Sequence, residues 1–168
     1  MRKALDFLYG AFLFAAAAAL AALLAIVLAQ IAGRLVGVLV PSAVEIGGFL
    51  MAGSSFLALA HVLRNGGHIR VTLLLGRLDG LARRALEAAC AGLAAALAIF
   101  FAWNCLDMTI ETWALGEVSA GLVPVPMWIP QAVMCLGVWA LAIALVDALV
   151  TLLAGRNPPY LGQDASTH

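Results

Sequence analysis

The sequence predicts an all-α integral membrane protein: four transmembrane helices, with a short interfacial amphipathic helix between the second and third. Three observations carry that prediction. Apolar residues make up 65% of the chain and charged residues only 11%, with a mean hydropathy of +1.07, far from the composition of a soluble domain. The charges fall in short breaks between long uncharged runs, most of them long enough at ~1.5 Å per residue to cross most of a ~30 Å hydrocarbon core. The break after the second run, Arg64, Asn65, Gly66, Gly67, His68 and Arg70, is too polar for lipid tails and too glycine-rich to continue a helix, so the chain surfaces there. A formal net charge of zero gives no reason to expect a nucleic-acid partner, and the few charges matter by position.

The whole chain reads as one four-span membrane domain. The first span covers about residues 6–32. The start, Met1-Arg2-Lys3, resembles a secretory signal, but the uncharged run from Phe7 to Gly33 exceeds the ~7–15 residues of a signal core, so a retained span is expected. Its alanines, Ala15 to Ala19 among them, favour the helix and let neighbours approach closely. Gly33, Arg34, Gly37 and Pro41 mark a short external connection. Ser42 is a candidate cap, and Glu45 sits in the first turn of the second span (about 43–63), where a carboxylate suits the helix dipole. Gly48, Ala52, Ser55 and Leu59 form a small-residue stripe of the kind that marks a packing face.

After the cationic break, Val71, Leu74, Leu75, Leu78 and Leu81 share one helical face while Arg70, Arg77 and Arg84 recur on another. This predicts an interfacial helix over about 70–82, leucines in the acyl boundary and arginines among anionic lipid headgroups; a polar loop is the alternative. The third span, about 84–112, carries a second stripe, Ala88, Gly92 and Ala96, and ends in Asp107, Glu111 and Trp113. Ser119, Gly121, Pro124 and Pro126 predict an extended, partly rigid connection. The fourth span runs over about 127–153, with Pro130 tolerable in its first turn, and a polar tail follows at 155–168. Every basic residue except Arg34 falls on one side of this arrangement, which predicts that both termini and the 64–84 segment are cytoplasmic, with Trp113 and Trp128 at the opposite interface.

Few residues invite chemistry. Asp147 lies about 10 Å inside the cytoplasmic end of the fourth span, placed either for a salt link to Arg64, Arg83 or Arg84 or as an ion or proton site. Glu45, Asp107, Glu111 and Glu117 belong to the outer face, either as solvated helix ends or as contacts for a basic partner. His61 and His68 lie close in sequence, an unpromising geometry for haem ligation. The cysteines Cys90, Cys105 and Cys135 sit in apolar runs without metal-ligand spacing and read as buried thiols, with a Cys105–Cys135 disulfide as the alternative. No nucleophile motif, metal-protease motif or phosphate loop is present, no cofactor is expected, and no pair of broken spans suggests a mid-membrane substrate site.

The run from Glu45 through Arg64, Gly66, His68, Ile69 and Val71 to Arg77 is similar to the small, DctQ-like membrane subunit of tripartite ATP-independent periplasmic (TRAP) transporters. Ser119, Gly121, Leu122, Pro124, Pro126 and Trp128, followed by Gly137, resemble that family's approach to its last span. The tryptophan often found before the acidic residue is absent, and Thr72 stands where an aspartate is frequent. The resemblance implies a non-enzymatic partner role in the bacterial inner membrane. A periplasmic substrate-binding protein would deliver an organic acid, a large membrane subunit would move it with sodium, and this chain, not fused to the large subunit, would bind and brace it. Two other readings compete: a haem- or quinone-binding anchor of a respiratory oxidoreductase, betrayed by a haem absorption band, and a small oligomeric exporter, betrayed by transport in liposomes by this chain alone.

Overall fold

The computed structural model describes residues 2–64 and 80–154, with side chains over 7–63 and 85–154. Four helices carry the described chain: α1 (Arg2–Val36), α2 (Ala43–Arg64), α3 (Gly80–Leu115) and α4 (Trp128–Leu153). All four are long and apolar enough to cross a membrane. Most of the expected interfacial helix, with Gly66, His68, Arg70 and Arg77, lies outside the described residues, as does the tail at 155–168. The third helix starts at Gly80 rather than near residue 84, taking in the last three residues assigned to that interfacial segment; Leu81 and Ala82 are good helix formers and nothing there interrupts the backbone ladder.

α1 also outruns its expected end. Gly33 and Arg34 form part of its last turn, and the helix stops at Gly37, which adopts φ 76°. Val38 N–H donates to the Gly33 carbonyl at 2.8 Å and Gly37 N–H to the Arg34 carbonyl at 3.4 Å, the paired bonds that satisfy carbonyls at a helix end when a residue turns left-handed. Gly33 is needed for a second reason: a Cβ there would lie 2.6 Å from the Val38 carbonyl oxygen. α3 ends the same way, with Gly116 at φ 64°, Glu117 N–H on the Thr112 carbonyl and Gly116 N–H on the Trp113 carbonyl, both at 3.2 Å.

The helices lie in the order α1, α2, α4, α3, each packing extensively only against the next. On α1 the covered positions are Tyr9, Phe12, Ala16, Ala19, Leu23, Ile26, Gln30 and Gly33, alternating steps of three and four that keep one seam facing a neighbour. On α3 the seam is Ala95, Ala98, Ala102, Cys105, Thr109 and Thr112. α2 and α4 are central and have two seams each. α4 turns Cys135, Val138 and Ala142 to one side and Gly137, Ala140, Ala144 and Ala148 to the other. Tyr9 of α1, Ala60 and Leu63 of α2, and Ala140 and Ala144 of α4 form one buried cluster.

α2 and α4 come close at Gly137. A Cβ on Gly137 would sit 2.5 Å from both the backbone carbonyl carbon and oxygen of Phe56, so the two main chains nearly touch. Gly53 repeats this more loosely, 3.3 Å from the Val133 side chain. Hydroxyls within the spans bond back to their own helix: Ser54 and Ser55 to the Met51 carbonyl at 2.9 Å, Thr109 to that of Cys105 and Thr151 to that of Asp147, both at 2.7 Å. Such bonds let a hydroxyl stay in lipid without a stranded polar group.

Three expectations are corrected here. The α2 stripe is no packing face within this chain, since Gly48 and Ser55 are exposed and a Cβ on Gly48 would meet nothing within 4 Å. On α3, Ala96 is exposed and the seam follows Ala95 and Ala98 instead. In an alanine-rich helix many registers look alike, so spacing alone does not pick out the side that a neighbour covers. Cys90, expected to be buried, is exposed; Cys105 and Cys135 are buried, and all three are free thiols.

Gly137→Ala should therefore force α2 and α4 apart and destabilise the chain by about 1–3 kcal/mol, the usual range for overpacking a tight contact. Gly48→Ala, which adds its methyl to open space, should be neutral or stabilising by up to about 1 kcal/mol. Far-UV circular dichroism during an SDS titration of the detergent-solubilised protein checks both.

Candidate functional site: a crevice where the two connections meet

The α1–α2 connection (37–42) and the α3–α4 connection (116–127) lie at the same end of the molecule and join there. Ser42 occupies the cap position of α2 by its backbone, its carbonyl accepting from Ile46 N–H at 3.0 Å. Its hydroxyl takes a different partner, accepting from Val123 N–H at 2.9 Å. To aim it there Ser42 adopts φ 53°, the left-handed region that a non-glycine residue enters only with strain. One serine thus fastens the two helical hairpins together.

The second connection is folded rather than extended, another correction to the sequence reading. Val118 and Pro126 form an isolated antiparallel bridge. Proline has no N–H to give, so the bridge is held by its neighbours: Ser119 N–H to the Val125 carbonyl at 2.8 Å and Met127 N–H to the Glu117 carbonyl at 3.0 Å. Ser119, itself buried, also accepts from Val125 N–H through its hydroxyl at 3.1 Å. The small loop this makes, with Pro124 on its exposed side, projects Gly121 against α2.

Gly121 meets Glu45. A Cβ on Gly121 would land on the Glu45 Oε2 atom and lie 2.7 Å from the Ser42 hydroxyl oxygen, so a larger residue there would have to displace the Glu45 side chain. Glu45 is half-buried, and its Oε2 is shielded from solvent without a hydrogen-bond partner among the described residues. Beside it opens a crevice of about 390 Å³ walled by Gln30 of α1, Val40, Val44, Glu45, Gly121 and Leu122. It joins apolar walls to one carboxylate at the first turn of a membrane helix, which suits it to hold a cationic or hydrogen-bond-donating group more than to do chemistry.

The other predicted residues do not converge on this crevice. Asp107 and Glu111 are exposed on α3 towards the same end, Glu117 is exposed at the base of the loop, and Trp113 and Trp128 are exposed nearby. Asp147 is half-buried near the opposite end of α4; Arg64 is the last residue of α2, but its side chain and those of Arg83 and Arg84, the expected partners of Asp147, lie outside the described residues. His61 is half-buried on α2. Among the described residues, no group of three or more His, Cys, Asp or Glu is placed to hold a metal ion. Sequence reasoning picked out Glu45 but missed that Ser42, Gly121 and Gln30 gather around it.

Ser42→Ala removes the acceptor for Val123 N–H, and the net worth of such a bond, about 1 kcal/mol, should speed amide exchange at Val123 about fivefold. Gly121→Ala should raise the same exchange by displacing Glu45, and Glu45→Ala in that background should recover part of the protection. Hydrogen exchange read by mass spectrometry over residues 117–127 checks each case.

No curated protein matches the chain. A family model does: residues 23–155 match that of tripartite ATP-independent periplasmic transporters, DctQ component. The match takes in α2, α3, α4, both connections and the crevice, and it begins within α1. That family is a transport component and not an enzyme, which does not favour an oxidoreductase anchor. A chain of four apolar helices matched over most of its length therefore belongs to the DctQ family, the small membrane subunits of TRAP transporters.

Proposed function

We propose that this subunit braces the large translocating subunit in the bacterial inner membrane while that partner takes up an organic acid, driven by sodium and delivered by a periplasmic binding protein. The family match over residues 23–155 carries the reading. What the chain's own physics adds is rigidity of the right kind. The α2–α4 backbone contact at Gly137 and the Ser42–Val123 fastening resist relative movement of the two hairpins, and a transporter whose mobile part travels across the membrane needs a fixed part that does not travel with it.

Both termini are proposed to face the cytoplasm, because all the basic residues but Arg34 then lie on that side. The crevice and the exposed carboxylates Asp107, Glu111 and Glu117 would then face the periplasm, within reach of the binding protein. The cationic segment containing Arg64, Arg70 and Arg77 would meet the anionic inner leaflet.

Removing this subunit should abolish sodium-driven uptake into cells or proteoliposomes while the binding protein still captures its ligand in solution; uptake at the usual rate without it would end the proposal. Charge reversal at Asp107, Glu111 and Glu117 together should slow uptake most at low ionic strength, where exposed charges are least screened. An effect that is absent, or the same at every salt concentration, would remove these carboxylates from docking.

A further inference from the structure

We propose that Cys105 of α3 and Cys135 of α4 form a redox pair: a disulfide-bearing oxidant on the periplasmic side joins their sulfurs in one bond that staples α3 to the centre of the chain. The inference rests on the orientation proposed above and adds a covalent modification site to it.

Three observations bring the two residues together. Cys105 lies on the seam by which α3 packs against α4, and Cys135 is on the side of α4 turned to that seam, with Val138 and Ala142. Both are buried, 4% and 5% exposed. The Cys135 sulfur lies within hydrogen-bond reach of the Cys105 sulfur and of the Trp139 indole N–H. Two cysteines can be bridged only where their side chains face one another at such close range. Cys90, exposed on the same helix, is about 22 Å from Cys105 at ~1.5 Å per residue and cannot compete for either partner.

The depth of the pair opens it to reaction. Trp103, Asn104 and Asp107, exposed on either side of Cys105, mark the level at which α3 passes from lipid to water. A single thiol sealed in an apolar interior is inert. A pair just below the membrane surface, facing the compartment in which disulfides form and persist, has both an oxidant and a second sulfur to react with. α3 is an edge helix that packs extensively only against α4, so local opening of one seam admits the oxidant.

In the first step one cysteine thiolate attacks a sulfur of the oxidant R–S–S–R, giving a mixed disulfide and releasing one R–S⁻. In the second, the other cysteine thiolate attacks the cysteine sulfur of that mixed disulfide and expels the remaining R–S⁻. The cysteines lose two electrons, the oxidant gains them, and the two cysteine protons pass to the released thiolates. Closure adds a covalent link to the seam that holds α3.

The test takes the full chain in mild detergent, reduced and then exposed to oxidised glutathione. A non-reduced digest read by mass spectrometry should contain one linked pair, Cys105 with Cys135, with Cys90 outside it. In an SDS titration followed by circular dichroism, the oxidised wild type should unfold at higher SDS than the reduced wild type. Dithiothreitol should reverse that shift, and neither Cys105→Ser nor Cys135→Ser should show it. In cells whose thiols are blocked with N-ethylmaleimide at lysis, Cys105 and Cys135 should resist alkylation until a reductant is added, whereas Cys90 should be alkylated at once. Thiols at 105 and 135 that stay free, or carry glutathione singly, after treatment in detergent overturn the pair. A pair that closes in detergent but is open in cells overturns the assignment of this end to the oxidising side, and the proposal with it, while membership of the small-subunit family stands.

Discussion

Between apolar helices in a bilayer there is no hydrophobic force to exploit, because lipid tails are as apolar as leucine. Association depends instead on how closely the backbones can come and how many atoms then touch. Among the described residues Gly137 of α4 comes up against the main chain of Phe56 in α2, and the other two helices flank that pair. α1 attaches to α2 and α3 to α4, each along one seam stepping by three and four residues. The Phe56 and Phe101 rings, 6.4 Å apart at their centroids and tilted by 37°, span from α2 to α3 beside the central contact.

The loop end obeys a different rule. There the backbone leaves its helices at the margin of the membrane, and each freed N–H and carbonyl has to find a partner. Gly37 and Gly116 settle two helix ends by turning left-handed, and Ser119 closes the small bridge that brings Gly121 to α2. Ser42 completes the arrangement by accepting strain in its own backbone to capture Val123 N–H. The crevice with Glu45 is what this bonding leaves behind: its walls are residues whose positions were fixed by satisfying other groups.

The four spans were legible because hydropathy over a long run is a strong signal, and Glu45 stood out as the lone acid opening a helix. Helix ends were less so: a left-handed glycine stops α1 only at Gly37, though Gly33 and Arg34 read as a break. Seams were misread for a physical reason. Where alanine occupies most positions, spacing says little about which side is covered, so Ala88, Gly92 and Ala96 looked as good a stripe as Ala95, Ala98 and Ala102. The meeting of Ser42, Glu45 and Gly121 joins residues about eighty positions apart and depends on how a proline-containing loop folds over a distant helix, which no local pattern encodes. Gly121 was marked as part of the glycine- and proline-containing connection and by family resemblance, and nothing in its surroundings predicted contact with a carboxylate.

The lateral order α1, α2, α4, α3 carries a consequence of its own. Helices joined in a row, each holding mainly to the next, have flanks and edges but enclose no lumen. A corridor for water or solute would need a wall that the four described helices, packed in a row, do not supply. A row of this kind is well shaped for something else: it widens the footprint of whatever it is attached to, spreading a lateral load over more lipid in the way a keel steadies a narrow hull.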